Sequence, residues 1–278
     1  MSVIALSDAA RADVRFEGRD LGGTIYLMAG RDMLNADLYR MRGSLDRVER
    51  LTVEGRVSVM AAYEDVLVLS NARGSGSDRL EVADLTDGEA LPGTLLDPYG
   101  QAPDFSPSGR LLYSVELYTK DGGDAGTRIY ITKPRPRAKK RVLYRSKRSV
   151  FTYWGPGERL AVHRYRSPKL VLDPGGPRRE VVNPRIGGWR SFETSNSDLM
   201  LFQNRERVAI VPPTGPARRF TTSWDHIGWS PRGRRVVVAR RGRLGLMSPR
   251  TGAVRAIGTY RGGKVFAAEW VEGKRWTK

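Results

Sequence analysis

The feature that most restricts the fold of this chain is a short turn that recurs between apolar runs. Trp229 is followed by Ser-Pro-Arg-Gly, Phe105 by Ser-Pro-Ser-Gly and Trp154 by Gly-Pro-Gly, and an apolar run begins soon after each turn. Proline fixes the backbone φ angle at the first central turn position, and glycine accepts the left-handed conformation that ends the turn. The recurrence predicts a repeat protein made of strand–turn–strand units.

The repeat has a period of about 40 residues, which is the length of four short strands and their turns. An aromatic residue is predicted to end the first strand of each unit. These residues are Tyr63, Phe105, Trp154, Phe192, Trp229 and Trp270. Residues 24–51 supply three strands without a first strand, whereas residues 265–270 form a first strand with no unit after it. The sequence therefore predicts an all-β, six-bladed β-propeller of four-stranded antiparallel blades, closed when the C-terminal strand joins the N-terminal blade.

Two stretches resemble the repeat of TolB-type six-bladed propellers, namely residues 105–113 and 229–238. The resemblance covers about residues 20–278 through the period, although blades 2 and 5 depart from the Ser-Pro-x-Gly turn. It implies one propeller domain over residues 21–278, after an N-terminal arm of residues 1–20. Members of this family include translocation-complex adaptors and protease-associated propellers, so the resemblance implies a scaffold and not a particular activity.

Charge is distributed unevenly along the 278 residues, whose formal net charge is +18 at pH 7. Residues 1–130 contain 14 Lys and Arg against 21 Asp and Glu, whereas residues 131–278 contain 34 against 9. This asymmetry indicates an anionic partner for the second half, either an anionic polymer such as a nucleic acid or an acidic protein surface. The alternative is a solvated, arginine-rich surface that needs no partner.

The turns after the first and third strands of a blade lie at one end of a propeller, and in blades 3 to 6 these turns are rich in Lys and Arg. Such residues could contact phosphates or an acidic polymer without base specificity. We name the set the basic surface. Its predicted members are Arg135, Arg137, Lys139, Lys140, Arg141, Arg178, Arg179, Arg218, Arg219, Arg232, Arg234 and Arg235.

The loops that enter the first strands lie at the opposite end, around the predicted mouth of the central channel. Aromatic side chains beside cations could stack on bases or sugars there, or anchor a peptide segment. The alternative is that these rings pack between blades. The predicted channel-mouth set is Tyr99, Lys147, Arg148, Arg185, Trp189, Trp224, Asp225, His226, Tyr260, Arg261 and Lys264.

The chain has few of the residue types that commonly act as catalytic bases or nucleophiles, because it has two histidines and no cysteine. His163 lies within a predicted strand, where a structural role is the simpler interpretation. His226 follows Asp225, and a carboxylate could orient an imidazole for general-base work, but adjacent strand residues point to opposite faces. The sequence has no Gly-x-Ser-x-Gly elbow, clustered zinc ligands or phosphate-binding glycine loop. We therefore predict no catalytic residue, no metal and no cofactor.

The predicted function is a non-enzymatic binding or interaction scaffold with a protein partner. A nucleic-acid or anionic-polymer binding protein is the first alternative, and a propeller hydrolase or lyase acting at the channel mouth, with His226 as its acid–base residue, is the second. The sequence contains no run of roughly 18 uncharged apolar residues. Its apolar stretch at residues 3–6 is shorter than the core of a secretory signal, so a cytoplasmic address is predicted, with export by another route as the alternative.

Overall fold

The computed structural model describes most of the chain, and nearly all of its regular secondary structure consists of antiparallel β-strands. The described residues are 14–16, 22–32, 36–42, 48–52, 57–72, 78–84, 93–164, 167–189 and 191–272. Short strands form these sheets, and their side chains alternate between the two faces of the sheet. Turns that contain Gly, Pro and Asp separate the strands. One 3-10 turn interrupts them at Pro156–Glu158. Within the described ranges, no helix has the length and apolar character needed to cross a bilayer.

Six sheets form the blades, numbered here in chain order, and each blade is named from its first strand outward. Blade 1 contains β25 (Lys264–Val271), β2 (Thr24–Gly30), β3 (Ala36–Arg42) and β4 (Val48–Arg50). Blade 2 contains β5 (Val57–Tyr63), β6 (Val66–Ala72), β7 (Asp78–Asp84) and β8 (Thr94–Asp97). Blade 3 contains β9 (Gln101–Phe105), β10 (Leu111–Tyr118), β11 (Asp124–Thr132) and β12 (Arg141–Ser146).

The remaining blades follow the same order. Blade 4 contains β13 (Phe151–Gly155), β14 (Arg159–His163), β15 (Leu170–Leu172) and β16 (Glu180–Val182). Blade 5 contains β17 (Ser191–Thr194), β18 (Met200–Asn204), β19 (Arg207–Val211) and β20 (Arg218–Thr221). Blade 6 contains β21 (Asp225–Trp229), β22 (Val236–Arg240), β23 (Arg243–Met247) and β24 (Val254–Tyr260), with β1 (Val14–Phe16) added outside β24.

The first strands of the six blades form a ring. They contact one another in the order β25, β5, β9, β13, β17 and β21, and β21 in turn contacts β25. Apolar clusters fill the spaces between neighbouring sheets, and one of them joins blades 1 and 6 through Leu27, Val237 and Ala268. The prediction of a six-bladed propeller with four-stranded antiparallel blades is therefore confirmed.

The strand from the C-terminal end of the chain lies in the sheet built from the N-terminal end. β25 pairs antiparallel with β2 from Thr24 opposite Val271 to Gly30 opposite Lys264. Whether this pairing is what holds the ring together in solution stays a prediction. The predicted division of the chain into an N-terminal arm and a propeller also stays a prediction, because most of residues 1–20 lie outside the described residues. Within this range, β1 pairs with β24.

The recurring turn is present in blade 5 as well, although its sequence there is different. Ser195 Oγ accepts a hydrogen bond from the N–H that begins the next strand at 3.1 Å, as Ser230 Oγ does in blade 6 at 2.9 Å. Asp198 (φ 60°) occupies the position of Gly233 (φ 62°). Aspartate tolerates the left-handed region better than most residues, which explains why the turn survives without glycine.

These turns also connect neighbouring blades around one end of the ring. The polar contacts are Ser108 N to Glu158 Oε1 (2.7 Å), Gly157 N to Asp198 Oδ1 (2.7 Å), Ser197 Oγ to the Arg232 carbonyl (2.6 Å) and Arg232 Nε to Glu272 Oε1 (2.6 Å). The turn motif that reveals the repeat in the sequence thus contributes directly to the interfaces between blades.

Gly228 lies close to the backbone of β25 at the interface between blades 6 and 1, and its replacement by alanine should be destabilising. A Cβ atom there would lie 1.9 Å from the Ala268 carbonyl oxygen, which is backbone and cannot rotate away. We expect Gly228→Ala to lower the free energy of unfolding by about 3 kcal/mol, measured by urea denaturation. Gly175→Ala is the control, because its Cβ would meet nothing nearer than Tyr144 at 3.5 Å. Equal stability of the two variants would contradict this interface.

Candidate functional site

The first strands of all six blades line a central channel of about 800 Å³. Three of the carboxyl groups that line this channel are carried by first strands, one each in blades 3, 5 and 1, namely Asp104, Glu193 and Glu269. Asp104 and Glu193 occupy equivalent positions, since each pairs with the second residue of the following strand, Leu112 and Leu201. The sequence analysis did not predict this cluster of carboxyl groups.

Asp104 connects blades 3 and 4. One of its carboxylate oxygens, Oδ2, accepts a hydrogen bond from the Trp154 backbone N–H at 2.7 Å, and its carbonyl accepts one from Trp154 Nε1 at 3.2 Å. Burial raises the pKa of Asp104 to about 7, with repulsion from Glu193 adding to the rise, and the Trp154 hydrogen bond opposes it. Near neutral pH this carboxyl group is therefore divided between its protonated and ionised forms.

Glu269 is the second perturbed carboxyl group of the channel. Burial raises its pKa well above the usual range of a glutamate, and repulsion from Glu193 and Asp104 raises it further. Three carboxylates in one narrow space cannot all be ionised without a large electrostatic cost. The channel thus favours the protonated form of Glu269.

Glu193 pairs with a histidine of the neighbouring blade. Its Oε2 lies 2.6 Å from His226 Nε2, and the other ring nitrogen, Nδ1, is hydrogen bonded to Ser191 Oγ at 3.0 Å. Gln203 Oε1 accepts the His226 backbone N–H at 2.7 Å. The histidine side chain is only 5% exposed. The carboxylate that orients His226 is therefore Glu193 and not Asp225, whose exposed side chain belongs to the preceding residue of the same strand.

The channel groups could exchange protons with one another or with a bound molecule, because two carboxyl groups with raised pKa values, Asp104 and Glu269, line one cavity with Glu193. The described ranges hold no group of three or more His, Asp and Glu side chains placed to bind a metal ion. One carboxyl oxygen of each of Asp104 and Glu193 contacts the next blade, Oδ2 of Asp104 at the Trp154 N–H and Oε2 of Glu193 at His226 Nε2. Their clearest role in the structure is to join blades 3 to 4 and 5 to 6.

The predicted basic surface consists of exposed residues. All twelve side chains are exposed, and they lie on or beside the turns that follow first and third strands. Two of them form ion pairs: Lys140 Nζ lies 2.7 Å from Asp97 Oδ2, and Arg232 Nε lies 2.6 Å from Glu272 Oε1. Their location is as expected from the predicted strands, and their binding role stays a prediction.

The predicted channel-mouth set divides into exposed and packed members. The exposed members are Tyr99, Lys147, Arg148, Arg185, Asp225, Arg261 and Lys264, whereas Trp224 and His226 are partly buried. Trp189 is buried with its ring 3.7 Å from that of His163, and Tyr260 is buried 5.7 Å from the ring of Tyr39. These two rings pack between blades, which is the alternative that the sequence left open.

Comparison with solved structures places the fold among known propellers. TolB from Acinetobacter baumannii superposes with a TM-score of 0.67 over 92% of this chain and 68% of that chain, at 18% sequence identity. The chain has a TolB-like propeller fold. At this identity the likeness concerns the fold alone. No protein-family model and no curated protein sequence matches the chain.

Other propellers with different activities are also similar to this TolB-like chain. A virginiamycin B lyase from Staphylococcus aureus has a TM-score of 0.53 at 10% identity, covering 91% of this chain and 97% of that one. A calcium-binding protein, regucalcin, from Agrobacterium tumefaciens has a TM-score of 0.52 at 13% identity, covering 94% of both chains. Since one scaffold carries such different functions, function has to be argued from the residues of this chain.

Proposed function

We propose that this TolB-like propeller is a non-enzymatic binding protein that docks an acidic protein surface on its basic surface. The observation that carries the proposal is the concentration of twelve exposed Lys and Arg side chains at one end of blades 3 to 6. The second half of the chain has a large excess of basic residues. Opposite charges on two protein surfaces increase the rate at which the proteins associate, and they disfavour binding of basic partners.

The distribution of exposed aromatic rings supports a protein partner over a single-stranded nucleic acid. Among the described residues, the exposed aromatic side chains are Tyr99, Tyr118 and Phe151. All three lie at the ends of strands or in loops opposite the basic surface. Proteins that bind single strands combine a basic groove with aromatic rings on which the bases stack. The basic surface offers charge without such rings.

The channel supports a scaffold over an enzyme. Its polar groups contact one another across the blade interfaces, as Asp104 does with the Trp154 backbone and Glu193 with His226. The His226 side chain is only 5% exposed, which restricts the access of a substrate to its ring. We therefore assign these contacts to the stability of the ring.

Charge reversal tests the proposal. In the first variant Arg178, Arg179 and Arg218 are replaced by glutamate, and in the control Lys147, Arg148 and Arg261 at the opposite end are replaced in the same way. Both variants change the net charge equally, and all six side chains are exposed. We expect the wild-type protein and the control to retain the same protein from a nuclease-treated cell extract, identified by mass spectrometry, and the first variant to lose it.

A second arm of the experiment tests the nucleic-acid alternative. Binding of double-stranded DNA is measured by fluorescence anisotropy as salt is raised, since phosphate contacts give affinities that fall steeply with salt. Tight, steeply salt-dependent DNA binding, together with retention of a protein from an untreated extract but not from the nuclease-treated one, would contradict the proposal. Equal retention by both charge-reversed variants would also contradict it.

A further inference from the structure

The central channel is acidic, although the protein as a whole is basic, with a formal net charge of +18. Among the described residues that line the channel, the one Lys or Arg side chain is Arg232, and its Nε already pairs with Glu272 Oε1 at 2.6 Å. An excess of one charge in a cleft with low-dielectric walls concentrates ions of the opposite charge there, so the channel favours cations. The acidic residues that line it are Glu64, Asp104, Glu193, Asp198, Glu269 and Glu272.

Three of these acids and a tyrosine affect one another across the channel. Burial raises the pKa of Tyr153, and the charge of Asp104 raises it further. Burial also raises the pKa values of Asp104 and Glu269, and repulsion from Glu193 adds to both. No described residue forms a hydrogen bond or an ion pair with the Glu269 carboxyl group. The three carboxyl groups are therefore close enough to act on one bound cation, which would relieve their repulsion.

Two hydroxyl groups of the channel wall have no hydrogen-bond partner. Thr152 and Thr194 both line the channel, and neither Oγ1 atom forms a hydrogen bond with a described residue. Thr152 is only 1% exposed, so bulk water has little access to its hydroxyl group. A buried hydroxyl group without a partner destabilises the folded state. A ligand with N–H groups would remove this penalty, because a hydroxyl oxygen accepts hydrogen bonds.

The channel also has aromatic walls. Tyr63, Phe105, Tyr153 and Trp270 line it and are partly buried. The faces of aromatic rings attract organic cations, and the rings provide apolar surface for a carbon chain. The volume of about 800 Å³ is within the range for small-molecule sites. The walls therefore favour an organic cation.

We propose that the channel binds a small aliphatic amine that carries ammonium groups. The ammonium groups would pair with Asp104, Glu193 and Glu269 through charge-assisted hydrogen bonds and would donate to the Thr152 hydroxyl group. The carbon chain would lie against the aromatic walls. The docking of an acidic protein proposed above uses the basic surface, so either proposal can fail without the other.

Two probes of equal chain length separate charge from shape. 1,4-Diaminobutane carries two ammonium groups, and 1,4-butanediol is its uncharged counterpart. In isothermal titration calorimetry of the full chain at about pH 8 we expect one diamine per chain, with an affinity at least about tenfold higher than that of the diol. Absence of diamine binding, equal affinities, several weak sites, or tighter binding of Ca²⁺ than of the diamine would each overturn the proposal.

The affinity should also depend on pH, because only an ionised carboxyl group pairs with an ammonium group. The titratable groups that face Asp104 are Glu193, with His226 beside it, Glu269 and Tyr153. With a pKa of about 7, the ionised fraction of Asp104 rises from about a tenth at pH 6 to about nine-tenths at pH 8. We therefore expect the diamine to bind at least about tenfold more tightly at pH 8 than at pH 6, with release of protons, measured in buffers of different ionisation enthalpy. An affinity that does not change with pH would contradict pairing with Asp104.

Variants assign the site. Asp104→Asn and Glu269→Gln should each weaken the binding of the diamine about tenfold, and Asp104→Asn should also reduce the pH dependence. Thr152→Val should weaken binding but leave the free protein at least as stable, because its hydroxyl group has no partner to lose. Asp121→Asn is the control, since it removes an exposed carboxyl group outside the channel. Thermal melting checks that each variant is folded. Unchanged affinity in the channel variants, or an equal loss in Asp121→Asn, would overturn the proposal.

Discussion

The protein should lose stability as the pH rises from about 4 to about 8, and Asp104 should account for much of the loss. The pKa of this carboxyl group rises from 3.8 to about 7 in the folded state. Between these values the unfolded chain releases its proton while the folded protein keeps it, so folding becomes less favourable as the pH increases. The stabilising contribution is complete below the unfolded pKa and is lost by about pH 7. For this shift the loss reaches up to about 4 kcal/mol.

Asp104→Asn isolates this effect, because an amide cannot ionise and its oxygen can still accept the Trp154 N–H. We expect the variant to match the wild-type protein at about pH 4 and to exceed it at about pH 8, by up to about 4 kcal/mol in the free energy of unfolding. Urea denaturation across this pH range measures the difference. Glu269→Gln should change stability in the same direction, since the pKa of Glu269 is also raised.

Asp97→Asn is the control with the opposite sign. Burial alone would raise the pKa of Asp97, but hydrogen bonds from Lys140, the Tyr99 backbone and Tyr113 outweigh it and lower the pKa. Its ionised form therefore stabilises the folded protein above the unfolded pKa, and that contribution is lost as the pH falls. We expect this variant to be less stable than wild type at about pH 8. A loss of stability at pH 8 in Asp104→Asn as well would show that the channel requires an ionised Asp104.

The fold could be predicted from the sequence because each blade is specified locally. A turn residue with a left-handed backbone, a proline and an apolar run are all close together in the chain, and their period gives the number of blades. Blade 5 shows the limit of this reasoning. The sequence predicts that Phe192 ends the first strand of this blade, but β17 continues to Thr194, which pairs with Met200.

The difference between the predicted and the observed end of β17 also explains why the sequence analysis did not predict the channel carboxyl groups. With Thr194 as the end of β17, Glu193 precedes it just as Asp104 precedes Phe105 and Glu269 precedes Trp270. When the blades are aligned at these residues, three of them have an acidic residue immediately before the last or the penultimate residue of the first strand. The His226–Glu193 pair had no comparable signal, because it joins residues of different blades whose relative positions depend on the ring.

Removal of β25 should abolish the cooperative fold. A chain that ends at residue 263 would leave the edge of β2 that faces β25 unpaired along its whole length, and would remove Val265 and Ala268 from the cluster between blades 1 and 6. It would also remove the hydrogen bond from Trp270 Nε1 to the Gly22 carbonyl at 2.9 Å. An exposed edge of this length favours pairing with other chains. We expect the truncated protein to show no sharp thermal transition and to aggregate in analytical ultracentrifugation.

A synthetic peptide of residues 264–272, added to the truncated chain during refolding, distinguishes ring closure from a general loss of apolar surface. If β25 closes the ring by pairing with β2, the peptide should restore a cooperative transition, and a peptide of the same composition in scrambled order should not. A chain that ends at residue 272 keeps β25 and is the length control. A stable, monomeric protein ending at residue 263 would show that blade 1 needs only three strands, and that contacts between the other first strands are enough to hold the propeller together.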